Sequence, residues 1–345
     1  MIKPYKLALL AASVALIDAA EVSGGGGLKN DSEILNFALT LEHLESAFYA
    51  RGLKKYDQAA FTKAGFSTTT RQSIQKVYND EASHVNFLTS ALQAAGATPV
   101  QPCNYTFPDE DVKTFMIVSQ ILEGVGVSAY LGAASSIQNP NYLTAAGAIL
   151  TVEARHNAYV RFVNGESPFP TPMDTPVQPR AIYSIASQFF TSCPNGSAPG
   201  FQSFPELNVT GKPVIGGNIT LTSNSTGATF CAFLSGLNST FTPYLNNTCQ
   251  IPTDGKVSGG QVYIFLTNAQ NITDYFVVAG PNVIELDIAG SVQPFGGVNQ
   301  TIGALSSHTA RNKASSGTSL SFEKSTAFLA TYFLIIGGGF LYLMI

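Results

Sequence analysis

Two of the four histidines in this chain stand three residues after a glutamate, in Glu81-Ala-Ser-His84 and Glu153-Ala-Arg-His156. With only twelve glutamates in 345 residues, chance gives about 0.14 such motifs. Side chains three positions apart share one face of a helix, so each pair can address a single centre. Each motif also follows a segment with a glutamate seven residues before a tyrosine: Leu41-Glu42 with Tyr49, and Leu122-Glu123 with Tyr130. Seven residues are nearly two helical turns, which puts each tyrosine over its glutamate. The order Glu, Glu-x-x-His, Glu, Glu-x-x-His therefore reads as a duplicated helix pair. Carboxylates and imidazoles aimed into a bundle core are costly unless paired or metal-bound. Six of them from four helices make sense chiefly around two metal ions.

The surrounding text is helical. Asp31 and Ser32 cap a first helix that stops near Gly52, and a second runs from about Ser67 to Ala95, ended by Gly96 and Pro99. A third follows Pro108, with Asp109, Glu110 and Asp111 suited to a helix N-terminus, and ends before Asn139-Pro140. The fourth covers Asn141 to Val163, and a shorter fifth spans Gln178 to Thr191. Residues 96–108 between the second and third helices reach at most about 45 Å when extended. That just matches a helix about 43 Å long. The segment can thus cross the whole bundle and start the third helix parallel to the second, or form a loose loop between antiparallel neighbours.

The stretch 31–192 resembles the ferritin-like superfamily, whose di-iron and di-manganese centres use this ligand set. More narrowly, Leu35-Asn36-Phe37-Ala38-Leu39-Thr40-Leu41-Glu42-His43-Leu44-Glu45 is similar to secreted fungal ferritin-like proteins named for stress response or late sexual development. Plant desiccation-related proteins are similar too. The resemblance implies Glu42, Glu81, His84, Glu123, Glu153 and His156 as ligands of two divalent ions, iron or manganese. Glu81 and Glu153 are the candidates for bridging them. Glu45, one turn on from Glu42, either replaces it or supports the ligands from outside. Tyr49 and Tyr130 fit as hydrogen-bond donors to the ligands, as radical relays or as ordinary core tyrosines. His43 and His308 are expected at the surface. The alternative is a metal-free bundle with surface Glu–His pairs.

After Pro194 the period changes to two. Asn218–Leu221, Thr229–Leu234, Gln261–Thr267, Tyr275–Ala279 and Val283–Ile288 read as strands between Gly, Asn, Ser and Pro clusters. The expected fold is α+β and multidomain: a ferritin-like bundle with a short fifth helix over 31–192, then an immunoglobulin-like β-sandwich over 200–300. Four cysteines allow three pairings; Cys103 with Cys193 and Cys231 with Cys249 keep each bridge within one domain.

Compartment is written at both ends. Lys3 and Lys6 precede an apolar run from Leu7 to Ile17, and Ala19 and Ala20 follow, the layout of a signal peptide over 1–20. Residues 301–325 read as a linker and anchor-attachment region, with small residues at Ser315, Ser316 and Gly317. The uncharged stretch 326–345 then reads as a tail removed when a glycosylphosphatidylinositol anchor is added at Ser315, or else as a membrane helix. Ten N-x-Ser/Thr sequons agree with secretion: Asn30, Asn104, Asn195, Asn208, Asn218, Asn224, Asn238, Asn246, Asn271 and Asn299. Charged residues are only 12% of the chain, about half the usual share, which sugars would offset. A net charge of −4 without a basic cluster excludes a nucleic-acid partner.

The expected location is thus the cell surface, at the plasma membrane through a lipid anchor or in the wall, with metal ions and cell-wall polysaccharide as partners. Dinuclear iron or manganese binding is the expected function, with oxygen or peroxide redox chemistry linked to stress as the activity such a centre supports. A structural or adhesive cell-wall glycoprotein using the bundle as scaffold is the alternative. Hydrolase triads, a P-loop and a dinucleotide-binding fingerprint are missing from the sequence.

Overall fold

The computed structural model describes residues 27–286 except 198, 199 and 201. The signal peptide, Asn299, His308, Ser315, the 301–325 linker, the 326–345 tail and the end of the last expected strand lie outside them.

Six α-helices come first: α1 Asp31–Lys55, α2 Gln58–Lys63, α3 Thr70–Ala94, α4 Val112–Ala134, α5 Pro140–Asn164 and α6 Pro179–Ala186. Local chemistry explains their ends. The Asn30 side chain caps α1, with Asp31 and Glu33 in its first turn and Lys54 and Lys55 in its last, each sign complementing the helix dipole. The α5 helix opens with Pro140 and closes on Gly165, whose φ of 89° satisfies the last carbonyls at no Cβ penalty. The third expected helix begins at Val112, later than Pro108 suggested, because Asp111, the last of the three acidic residues, is its cap. The α2 turn was not expected; it is six residues long and capped by Asp57.

Polar contacts set the topology. Arg71 at the start of α3 donates to the carbonyls of Leu53 and Tyr56 at the end of α1, both at 2.9 Å. Leu88 and Leu92, near the other end of α3, pack with Leu35 and Leu39. The two helices are antiparallel. The connecting segment then runs along α1. Asn36 holds Thr98 and Val100 at 3.1 and 2.9 Å, and further on Arg51 and Lys55 hold Asp109. So α4 starts where α3 started and runs parallel to it, the one-crossover arrangement. A disulfide from Cys103 to Cys193 staples this crossover to the segment after α6. Closing a 90-residue separation contributes roughly 4–5 kcal/mol on a chain-entropy basis, before any strain.

The fifth helix is shorter than expected. Past Ala186 the chain makes one 3-10 turn, Ser187–Phe189, then a strand. Beside the disulfide, β1 Asn104–Tyr105 in the crossover pairs with that strand, β2 Phe190–Ser192, and the pairing wins over helix continuation.

Seven further antiparallel strands follow: β3 Asn208–Thr210, β4 Asn218–Thr222, β5 Phe230–Ser235, β6 Asn238–Pro243, β7 Thr248–Gln250, β8 Gly260–Thr267 and β9 Val277–Leu286. They form two sheets, ordered β3-β4-β7 and β6-β5-β8-β9. Val209, Ile219 and Leu221 of one sheet share a core with Phe233, Val262 and Ile264 of the other. The second disulfide, Cys231–Cys249, crosses between them. The fourth strand of the sandwich pairs in the sheet of the third, unlike the constant-type immunoglobulin order. Two expected strands merge into β9, because Gly280-Pro281 sits in a register irregularity, where proline's missing N–H is tolerated.

The larger sheet is buried on both faces. Alternate residues Ala232, Leu234, Tyr263, Phe265 and Val283 join the core of the helical bundle. This explains why β5 and β8 read as nearly continuous apolar runs. Wedged between bundle and sheet, α4 is apolar enough to cross a membrane, yet 67% of its most apolar window is buried by protein. It is a core helix. Of the nine described sequon asparagines, Asn271 is half-buried and the other eight are exposed.

Candidate metal centre

Midway along the bundle, α1 presents Glu42, α3 presents Glu81 and His84, α4 presents Glu123, and α5 presents Glu153 and His156. The four glutamates are at most 1% exposed, and the two histidines 9% and 8%. Their donor atoms form two overlapping quartets, each within 4.8 Å: Glu42, Glu81, His84 and Glu153; and Glu81, Glu123, Glu153 and His156. Glu81 and Glu153 belong to both. His84 Nδ1 lies 3.2, 3.1 and 3.2 Å from carboxylate oxygens of Glu42, Glu81 and Glu153. His156 Nδ1 lies 2.9 Å from Glu81, 3.5 Å from Glu123 and 3.6 Å from Glu153.

His84 Nδ1 is hydrogen-bonded to Glu42 and Glu81, but for the rest of the cluster closeness is not hydrogen bonding. Glu81 Oε1, Glu123 Oε2, both Glu153 oxygens and His156 Nδ1 are buried without a hydrogen-bond partner. The 2.9 Å separation of His156 Nδ1 from Glu81 Oε1 is therefore a contact between misaligned atoms. Orphaned buried acceptors cost about 1–3 kcal/mol each, more when charged. Lone pairs crowded together but not aimed at protons are what a bound cation satisfies, and carboxylate with imidazole suits iron or manganese. The residues fit the group.

Electrostatics agree. Burial, with the charges of Glu153 and other neighbours, pushes the Glu81 carboxyl well above its usual range. Burial also lifts Glu123, with His156 pulling the other way, to about 7. Burial alone would lower the His84 imidazolium, but the facing carboxylates of Glu153, Glu42 and Glu81, acceptors for its N–H, carry it up to about 12. His156 is raised too, by the neighbouring carboxylates of Glu123, Glu153 and Glu81.

Around the cluster, Tyr130 donates to Glu42 Oε1 at 2.5 Å, and Tyr49 donates to Glu123 Oε1. Each tyrosine thus bonds the glutamate of the facing helix, not the one beneath it on its own. Glu45 is buried, 4% exposed, and lies outside both quartets; burial and the charges of Glu153, Glu81, Glu42 and Glu123 raise its carboxyl well above the usual range. His43 is not at the surface: it is half-buried, with Nε2 3.2 Å from the carbonyl of Val100 in the crossover.

One contact has no forerunner in the sequence reading. Asp80 Oδ2 lies 3.3 Å from His156 Nε2, and its other oxygen accepts from Lys76. Asp80 thereby favours the tautomer with the proton on Nε2 and the lone pair on Nδ1. Its signal was adjacency to Glu81; the matching place in the second motif is Val152, so the two halves differ.

Residues 30–166 match the family described as Ferritin-like domain. The helical part of this chain is thus ferritin-like, and antiparallel sheets follow it. The chain is also similar to Protein rds1 of Schizosaccharomyces pombe (strain 972 / ATCC 24843), 27% identical over 189 residues, which are 53% of this chain. The match spans 45% of that relative, less than half its length.

Proposed function

We infer that this is a secreted or cell-surface protein whose bundle holds a dinuclear iron or manganese centre on Glu42, Glu81, His84, Glu123, Glu153 and His156, bridged by Glu81 and Glu153. The observation that carries this is the pair of overlapping quartets with orphaned, buried acceptor atoms. Bound iron or manganese would supply two-electron chemistry toward oxygen or peroxide, the activity linked to stress. The chain's own part is to bind and orient. Tyr130 and Tyr49 fix Glu42 and Glu123 by donated hydrogen bonds, and Asp80 turns the Nδ1 lone pair of His156 inward. The packed core of α1 and α4 keeps water from one side.

Two disulfides suggest maturation in an oxidising compartment, and exposed sequons support a glycoprotein coat over the sandwich. Lipid anchoring and contact with cell-wall polysaccharide belong to the same proposal. Metal analysis of purified protein tests the centre: about two ions per chain are expected, and none would leave the bundle a scaffold.

A further inference from the structure

We propose that the cleft between α3 and α5 is a port for a small anion, with Arg155 as its recognition residue and the metal centre at its inner end. This rests on the dinuclear reading above and adds the class of exogenous ligand it admits. The cleft has a volume of about 500 Å³ and is lined by Lys76, Asp80, Arg155 and Tyr159, together with His84 and His156. The two histidines are the most exposed of the six proposed ligands. Solvent therefore meets the centre from this side. A second cavity reaches Tyr130 from the bundle's end, but it holds about 30 Å³ and its lining is apolar, from Ile34 and Phe87 to Ala146.

Charge at the cleft selects the ligand. Asp80 is engaged twice, with Lys76 and with His156. Arg155 is exposed and makes no ion pair among the described residues. Two cations against one anion leave the lining net positive, where a cation entrance would be acidic. Such a mouth raises the local concentration of anions and repels free metal ions. The planar guanidinium offers a fork of N–H donors suited to an oxyanion, and Tyr159 lines the same cleft.

Azide and phosphate are the probes. The full chain is loaded with iron, its iron content measured by mass spectrometry, and azide titrated by visible absorption, with phosphate as competitor. The wild type should bind azide saturably and more weakly as ionic strength rises. R155E should keep its iron and bind azide about tenfold more weakly, whereas R155K should stay within about twofold. Equal azide affinity in wild type and R155E at equal iron content would overturn the port while leaving the dinuclear reading intact. Loss of iron in R155E would assign Arg155 to holding the centre and overturn the port as well. A wild-type chain that holds no iron or manganese defeats the dinuclear reading and this proposal with it.

Discussion

In the proposed centre six side chains would carry the chemistry, and their neighbours decide how well they carry it. Removing the Tyr130 hydroxyl strips a charged carboxylate of its donor, worth about 1.5–3 kcal/mol. Tyr130→Phe should weaken metal binding roughly tenfold in a chelator competition, and an unchanged affinity would make the tyrosine ordinary core. Asp80→Ala should cost 10- to 100-fold in affinity, the usual range for a carboxylate behind a histidine ligand. Metal binding should also depend on pH in a defined direction. Glu123, raised to about 7, must shed its proton before it can ligate. Affinity should rise as pH passes through neutrality, with protons released to buffer on binding, measurable by calorimetry in buffers of different ionisation heat. Glu81 and His84, and Glu153 and His156, were legible because period and composition pick them out. Asp80 was not, since adjacency to Glu81 alone does not distinguish its carboxylate from a solvated surface residue until α3 and α5 are set side by side.

At the level of elements, close approach between neighbours matters most. A Cβ added at Gly132 of α4 would lie 1.9 Å from the Val177 carbonyl oxygen, a backbone atom that cannot swing aside. Gly132→Ala should destabilise by at least about 2 kcal/mol in urea denaturation. Gly147 in α5 meets nothing within 4 Å, so Gly147→Ala should stabilise by about 0.5–1 kcal/mol through helix propensity. The same two glycines look alike in sequence. Helix positions could be read from capping residues and apolar period, whereas segment length left the crossover open between a crossing of the bundle and a loose loop. The strand β6, with its polar Asn-Ser-Thr start, could not, because pairing with β5 holds it in place. Nor could the continuity of β9 through Gly280-Pro281, where local punctuation argues for a turn and the ladder overrides it.

Across the whole molecule, bundle and sandwich are joined by a buried ion pair. Arg161 of α5 grips Glu285 of β9 through two nitrogens at 2.9 and 2.6 Å, and Gln120 adds a bond at 3.2 Å. Breaking one partner leaves a buried charge alone, so Arg161→Ala should cost about 3–5 kcal/mol of stability, most of it recovered only if Glu285 is changed too. These residues lie 124 positions apart, and no periodicity announces their meeting. Acid should loosen the crossover. Burial would raise the Asp109 carboxyl, but hydrogen bonds and charge from Arg51 and Lys55 outweigh it and hold it below the usual value. Its contribution is present above the unfolded value of about 3.9 and is lost as pH falls through the lower folded one. Arg51 and Lys55 are half-exposed, so solvent screens the effect to about 1 kcal/mol or less. Asp109→Asn should remove that share of the acid dependence from melting curves. The most direct test is metal stoichiometry: purified chain at neutral pH, dialysed against iron(II) or manganese(II) and counted by mass spectrometry. Wild type and His43→Ala should carry about two ions, the combined His84→Ala and His156→Ala change should carry fewer and melt lower, and metal should raise the melting temperature of the metal-free wild type. A wild-type chain that takes up neither metal, with a melting temperature indifferent to both histidines, would contradict a dinuclear centre.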